Sequence, residues 1–273
     1  MFSTEKKFDQ WKVCGFNGLQ AELFDSIEST HSLMKERARE GLAAPGSLIV
    51  ANCQTAGRGR HERTWSSPSN KNIYFNLLLP LDGIPAARFA QITQIAALTF
   101  AEVFQAMGAA VTVKWPNDIL FEKSKFCGIL AEIVFMPGAK PAMNLGVGIN
   151  VNSDPSEYNS LGRAVTTLKA ITGNTINREI LLRALIAALE RAMGQFKAFG
   201  ISPWVEAWRK MDQFIGARGT VVVNNHCTDA NHNSGEGSIK KSGCILDMQP
   251  DGSLLFKTDD GDTITVYSAD LEI

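Results

Sequence analysis

A change of hydrophobic pattern at Gly216 narrows the architectures open to this chain more than any other feature. Before it, runs of strand length alternate with stretches of helical period. After it, RGTVVVNN, SGCILDMQ, SLLFKT and TITVYSADLEI are short β-like segments with turn signals at PDG and DDGD, and nothing of helical period intervenes. The expectation is an α/β (α+β) domain over residues 1–215 and a small all-β domain of barrel size over 216–273. With 273 residues, 45% of them apolar and 20% charged, the chain is long enough to bury a core for both.

Within the first part, LQAELFDSI reads as a strand, and Ser29 or Thr30 can cap a helix over SLMKERARE that stops at Gly41. SLIVANC and NIYFNLLLP are strand-like runs flanking the polar segment CQTAGRGRHERTW, which is therefore a loop. Residues 85–107 carry Phe89, Ile92, Ile95, Ala96, Phe100, Val103 and Phe104 at helical spacing, with Gly108 as the stop. The β-like runs VTVKW, DILFE, FCGILAEIVF and MNLGVGINV follow. Further helices are predicted around TTLKAI, over 178–199 after an Asn177 cap, and at PWVEAWRKM.

Several functions are excluded or disfavoured at this level. A net charge of −1 argues against a surface built to attract nucleic acid as a whole, so any anion site is local. The five cysteines are scattered without a CxxC pair, which points to reduced thiols rather than a disulfide framework or a zinc site. His226, Cys227, Asp229 and His232 lie in a polar, glycine-bearing stretch without standard ligand spacing, which favours a solvated hairpin over a metal site. The opening MFSTEKKFDQW carries charges where a signal peptide needs apolar residues, and no run reaches transmembrane length. A cytoplasmic protein with no membrane contact is expected.

Three segments can carry chemistry. Gly57 and Gly59 let backbone amides turn toward an anion, Arg58, Arg60 and Arg63 supply bidentate donors, and Trp65 offers a flat lid for a base. Neither the P-loop ending nor a GxGxxG opening a helix is present, and the loop alone reads equally as a solvated basic turn. In KWPNDI, Lys114 ends a strand, Pro116 interrupts the ladder, and Asn117 and Asp118 become available for phosphate or phosphate-bound Mg2+. In SKFCGIL, Lys125 precedes a strand in which Gly128 leaves room for close approach, and GVGIN adds two glycines and Asn150.

Taken together and in this order, IESTH, QTAGRGRHERTW, KWPNDI, KFCGILAE and GVGINV resemble the bacterial biotin-protein ligases, from about Leu23 to the C-terminus. The resemblance implies a catalytic domain with a mixed sheet and flanking helices, like class II aminoacyl-tRNA synthetases, and a C-terminal SH3-like β-barrel. It implies that biotin and MgATP give biotinyl-5′-AMP, whose biotinyl group passes to a lysine of a biotin carrier domain such as that of acetyl-CoA carboxylase. By the same resemblance Ser29, Thr30, Gln54, Gly57, Arg58 and Gly128 hold biotin, while Arg60 and Lys125 contact its carboxylate and the α-phosphate as the catalytic cations. Arg58, Arg60, Arg63, Trp65, Lys114, Asn117, Asp118, Lys125 and Asn150 line the ATP side, with Asp118 the contact for a Mg2+ carried by ATP. Such a reaction needs alignment and charge neutralisation rather than a protein nucleophile. The loop is then expected to order over biotin and adenylate and exclude water.

The chain departs from the family pattern at Glu62, at His31 where asparagine is common, and at Cys127 where a small residue is usual. His31 reads as a polar packing residue rather than a base, and Cys127 as an apolar filler rather than a nucleophile. Met34 and Lys35 lie on a helix pattern, not on the tight β-turn of a carrier domain. The roughly two dozen residues before the first strand are too few for a winged helix-turn-helix, so a short form without DNA binding is expected, and a homodimer is compatible with it. The alternatives are a lipoate or octanoate ligase of the same superfamily and a non-enzymatic nucleic-acid-binding module.

Overall fold

The computed structural model describes residues 7–60, 63–224, 238–267 and 269–273. The predicted departure at Glu62 and the His226–His232 cluster lie outside them. Strand β1 (Glu22–Phe24) and strand β2 (Leu48–Ala51) pair in parallel because helix α1 (Thr30–Arg39) carries the chain back between them. Ser29 caps α1 by accepting from Ser32 N, a contact worth about 1 kcal/mol. Strand β3 (Ile73–Pro80) then runs antiparallel to β2. Helix α2 (Gln91–Ala106) leads to β4 (Thr112–Lys114), β5 (Asp118–Phe121), β6 (Ser124–Val134) and β7 (Ala142–Ile149). These form an antiparallel meander whose last strand returns to β3, giving one mixed sheet of order β1-β2-β3-β7-β6-β5-β4. Helices α3 (Leu168–Thr172), α4 (Arg178–Phe199) and α5 (Ser202–Met211) complete this part close to the predicted bounds.

The two faces of the sheet have different fates because side chains alternate along each strand. Phe75, Leu77 and Leu79 of β3 and Leu145, Val147 and Ile149 of β7 join α2 and α4 in the main core. On the other face, Leu78, Val134 and Ala142 pack under Met34 and Ala38 of α1 in a smaller cluster. Helix α1 covers only one end of that face. Where it stops, the same rows of β3, β6 and β7 continue as Asn76, Gly128, Asn144, Gly146 and Gly148, polar or bare positions beside an open cleft.

The C-terminal part is a five-stranded antiparallel sheet of β8 (Arg218–Asn224), β9 (Ser238–Met248), β10 (Leu254–Thr258), β11 (Thr263–Val266) and β12 (Asp270–Glu272), in the order β11-β10-β9-β8-β12. The run TITVYSADLEI, read from sequence as one segment, is two strands at opposite edges of this sheet. The turn before β10 docks on the first part through hydrogen bonds from Gln94 Nε2 (2.7 Å) and Trp115 Nε1 (3.1 Å) to Gly252 O. Arg209 of α5 adds a bidentate pair to Asp247 of β9. Near the N-terminus, Trp11, Val13 and Phe16 are buried in the main core, and the Arg178 guanidinium lies 5.1 Å from the Trp11 ring.

Candidate functional site

The cleft is floored by glycine. Gly128 of β6 and Gly148 of β7 are directly paired, and the Trp65 indole lies on them. A Cβ on Gly148 would sit 2.4 Å from Trp65 Cε2, and one on Gly128 would sit 2.8 Å from Cζ3, so neither position tolerates a side chain with the indole in place. Trp65 Nε1 is buried with no hydrogen-bond partner among the described residues, a donor that a ligand acceptor in the cleft would satisfy.

The glycine-arginine segment folds over this floor as a hairpin. Arg58 and Thr64 form an antiparallel bridge, Gly59 N donates to Arg63 O (2.7 Å), and Trp65 N donates to Gly57 O (2.8 Å). Two of its arginines reach outward to the last strand. Arg60 donates to Asn117 Oδ1 (3.1 Å) and Ala269 O (3.2 Å), and Arg60 and Arg63 lie 3.4 and 3.2 Å from the Asp270 carboxylate. Asn117 is held for this contact by donating its own amide to Ile129 O. Lys125 reaches back along the sheet, bonding Asp118 Oδ1 at 2.6 Å with its ammonium 5.7 Å from the Trp65 ring. Together with Arg58 and Arg163, five cations line the cleft against the two carboxylates Asp118 and Asp270. The mouth therefore attracts anions despite the chain's balanced charge.

The closed end differs in kind. Thr30, Gln54, His31, Asn76 and Asn144 form one hydrogen-bonded group with no cation in it: Thr30 Oγ1 lies 2.7 Å from Asn76 Oδ1 and 3.0 Å from Gln54 Oε1, and Gln54 Nε2 donates to Ser67 Oγ (3.1 Å). Burial pushes the His31 imidazole below its usual pKa, opposed by its hydrogen bond and charge contact with Glu132. Burial acts to raise Glu132, but hydrogen bonds from Lys35 and His31 outweigh it and leave the carboxyl below its usual range. On β4, burial lowers the Lys114 ammonium, partly offset by Asp118. Complete burial pushes the Cys127 thiol far up, which agrees with a filler rather than a nucleophile.

Of the sequence-predicted residues, Thr30, Gln54, Arg58, Arg60, Arg63, Trp65, Asn117, Asp118, Lys125 and Gly128 meet around this one cleft of about 730 Å³, open mouth included. Ser29 and Gly57 do not line it. Ser29 is buried as the helix cap, and both face a shallow recess behind the hairpin. Lys114 is also outside the lining, its ammonium 5.9 Å from the Phe214 ring, and Asn150 opens onto an adjoining small pocket shared with Trp65, Lys125 and Arg163. Sequence reading missed Asn76, Asn144, Gly146 as a cleft position, Arg163 and Asp270. A polar residue within the apolar runs IYFNLLLP and MNLGV was the available signal for the two asparagines. Nothing local marks Asp270.

A neutral, hydrogen-bonding closed end joined across a bare floor to a cationic mouth defines a protein that binds a ligand with an uncharged polar head and an anionic tail. Comparison with known proteins makes this specific. The model of the biotin/lipoate A/B protein ligase family matches residues 23–152. The bifunctional ligase/repressor BirA of Bacillus subtilis is 30% identical over 251 residues, covering 91% of this chain and 72% of that protein. The biotin--[acetyl-CoA-carboxylase] ligase of Mycobacterium tuberculosis is 32% identical over 215 residues, 77% of each. A solved structure, the biotin protein ligase from Aquifex aeolicus in complex with biotin and ATP, shares the fold with a TM-score of 0.73 at 24% identity, over 92% of this chain and 97% of that one. The chain belongs to the biotin/lipoate A/B protein ligase family.

Proposed function

We propose that this protein is a biotin-protein ligase that joins biotin to ATP as biotinyl-5′-AMP and transfers the biotinyl group to a lysine of a carrier domain such as that of acetyl-CoA carboxylase. The observation that carries the reading is the polarity of the cleft. Its neutral end suits a ureido ring, and its five-cation mouth suits a carboxylate meeting a triphosphate. Neither chemical step needs a protein nucleophile, and the buried Cys127 offers none.

In this reading Thr30 and Gln54 hold the ureido group, and Ser29 supports Thr30 by fixing the start of α1. Arg60 and Lys125 neutralise the carboxylate and α-phosphate as charge shifts between them, a contribution of about 10²- to 10³-fold for one donor. Trp65 and Asn150 border the space for adenine, and Arg63, Lys114, Asn117 and Asp118 serve the phosphate side. The two arms of the hairpin, residues 57–60 and 63–65, keep water from the mixed anhydride. Mg2+ enters with ATP. Among the described residues no group of three metal-binding side chains exists, and Asp118 is already bonded to Lys125, so the donor set suits a cation held mainly by phosphate oxygens.

The finer expectations have separate supports. The left-handed Gly216 and the change to short strands support a domain boundary at 215/216. Among the described residues no helix is long and apolar enough to cross a membrane. A homodimer has the outer edge of β6 available, since pairing with β5 ends at Gly128 and leaves residues 129–134 paired only to β7. The balanced charge supports the absence of a DNA contact.

The test is incubation with biotin, MgATP and a purified carrier domain, followed by mass spectrometry. A biotinyl adduct on one carrier lysine is expected, with none from lipoate or octanoate, which cannot satisfy the polar end. Transfer of lipoate or octanoate in place of biotin would overturn the reading.

A further inference from the structure

We propose that His31 is a positioning residue for recognition of the ligand's neutral head: as a neutral imidazole it turns the Thr30 hydroxyl into a fixed acceptor and so selects an N–H donor at the closed end of the cleft. The inference rests on the biotin reading above. It follows from the hydrogens available to Thr30, His31, Asn76 and Asn144, which are buried, and to the half-buried Gln54 and Glu132 beside them.

Asn144 Nδ2 donates to His31 O (2.9 Å), which fixes Asn144 Oδ1 toward Asn76. Asn76 Nδ2 donates to that oxygen at 2.7 Å, and its second hydrogen points at His31 Nδ1, 3.0 Å away. Nδ1 must therefore carry a lone pair. The imidazole proton sits on Nε2, facing Glu132 Oε2 at 3.1 Å. With its amide so oriented, Asn76 presents Oδ1 to Thr30 and takes the hydroxyl proton at 2.7 Å. Thr30 Oγ1 is left as an acceptor 3.0 Å from Gln54 Oε1, which itself accepts Thr30 N–H at 2.9 Å. Two acceptor oxygens this close form a socket for a donor between them. A ureido N–H fills it, and an aliphatic acid leaves it empty.

Gly146 belongs to the device. A Cβ there would lie 2.9 Å from Asn76 Nδ2 and 3.1 Å from His31 Nδ1, so a side chain would part the two. Protonation of Nδ1 inverts the chain at the expense of the Asn76–Asn144 bond: the Asn76 amide turns to offer Oδ1 to Nδ1–H, Thr30 accepts from Asn76 Nδ2, and its proton swings to Gln54 and blocks the socket. The charged groups facing His31 are Glu132 on β6, Lys35 on α1 and Arg58 of the hairpin. Glu132 draws the single proton to Nε2, while burial, Arg58 and Lys35 oppose a second one.

The experiment uses the full chain labelled with ¹⁵N-histidine, its His31 signals assigned by His31→Asn, and titrates biotin calorimetrically between pH 8 and pH 5. We expect the Nε2–H tautomer at pH 8 and biotin affinity falling about tenfold, the scale of one hydrogen bond, as the His31 signals report protonation. His31→Asn, which keeps an acceptor and does not titrate, is expected to bind within a few-fold of wild type at pH 8 and to lose the pH dependence of KM for biotin, with kcat following wild type across the range. An Nδ1–H tautomer, or affinity that ignores His31 protonation, would overturn this inference while leaving the ligase reading intact. Failure to bind biotin at any pH would overturn both.

Discussion

Gly148→Ala tests the claim that Trp65 lies directly on the cleft floor. The new methyl carbon would sit 2.4 Å from Cε2 and 2.5 Å from Nε1 of the indole, more than 1 Å inside the ordinary 3.5–4.0 Å contact. The clash can be met by strain or by lifting the ring. Strain of this kind costs about 1–3 kcal/mol. Lifting the ring gives up one face of a tryptophan, roughly 100 Å² at ~25 cal/mol/Å², or about 2.5 kcal/mol. A cost near 2 kcal/mol is set against the ~0.5–1 kcal/mol gained by removing glycine from a strand. The net loss is then about 1–1.5 kcal/mol, a fall of roughly 2–3 °C in Tm. Trp65→Ala removes the obstacle, so in that background Gly148→Ala should stabilise by about 0.5–1 kcal/mol. The double-mutant cycle in urea denaturation is thus expected to give a coupling near 2 kcal/mol. Additivity within ~0.5 kcal/mol would show that the indole does not rest on Gly148.

Three further outcomes are expected. Lys125→Ala should lower biotin-dependent ATP–pyrophosphate exchange by about 10²- to 10³-fold; a loss under threefold would remove Lys125 from the reacting centre. Asp270→Ala removes the ion pairs of Arg60 and Arg63 and leaves Arg60 only its bonds to Asn117 and Ala269 O, at a stability cost under ~1 kcal/mol for such part-exposed pairs, and should speed escape of preformed biotinyl-AMP in a chase experiment; unchanged escape would deny the hairpin this anchor. Iodoacetamide at pH 8 should modify the partly exposed Cys14, Cys53 and Cys244 of the native protein and spare Cys127, as read by peptide mass spectrometry.

The elements most legible in the sequence are those fixed locally. Ser29, Asn177, Gly41 and Gly108 act at the helix ends as their types demand, because caps and left-handed stops depend on a few neighbouring residues. The cleft was legible as a set of segments, since Arg58, Arg60, Lys125 and Gly128 stand out against their surroundings. Its closed end was not. Asn76 and Asn144 are 68 residues apart and meet only because β3 and β7 are neighbours, a pairing that no local pattern announces. Asp270 reaches Arg60 across 210 positions because the segment after Val266 crosses to the far edge of the small sheet. Ser29 and Gly57 flank cleft residues along the chain, but the helix cap turns one inward and the other borders the recess that Ser29 also lines.

The bare floor also bears on how the protein persists in a cell. Paired Gly128 and Gly148 are covered by the Trp65 indole, whose buried Nε1 has no partner among the described residues, so a bound acceptor supplies a contact that the polypeptide lacks. Occupancy favours the native form by mass action, adding about 2.7 kcal/mol when the compound is at a hundred times its dissociation constant. Where the ligand is scarce that contribution is lost, and the protein is correspondingly more open to proteolysis.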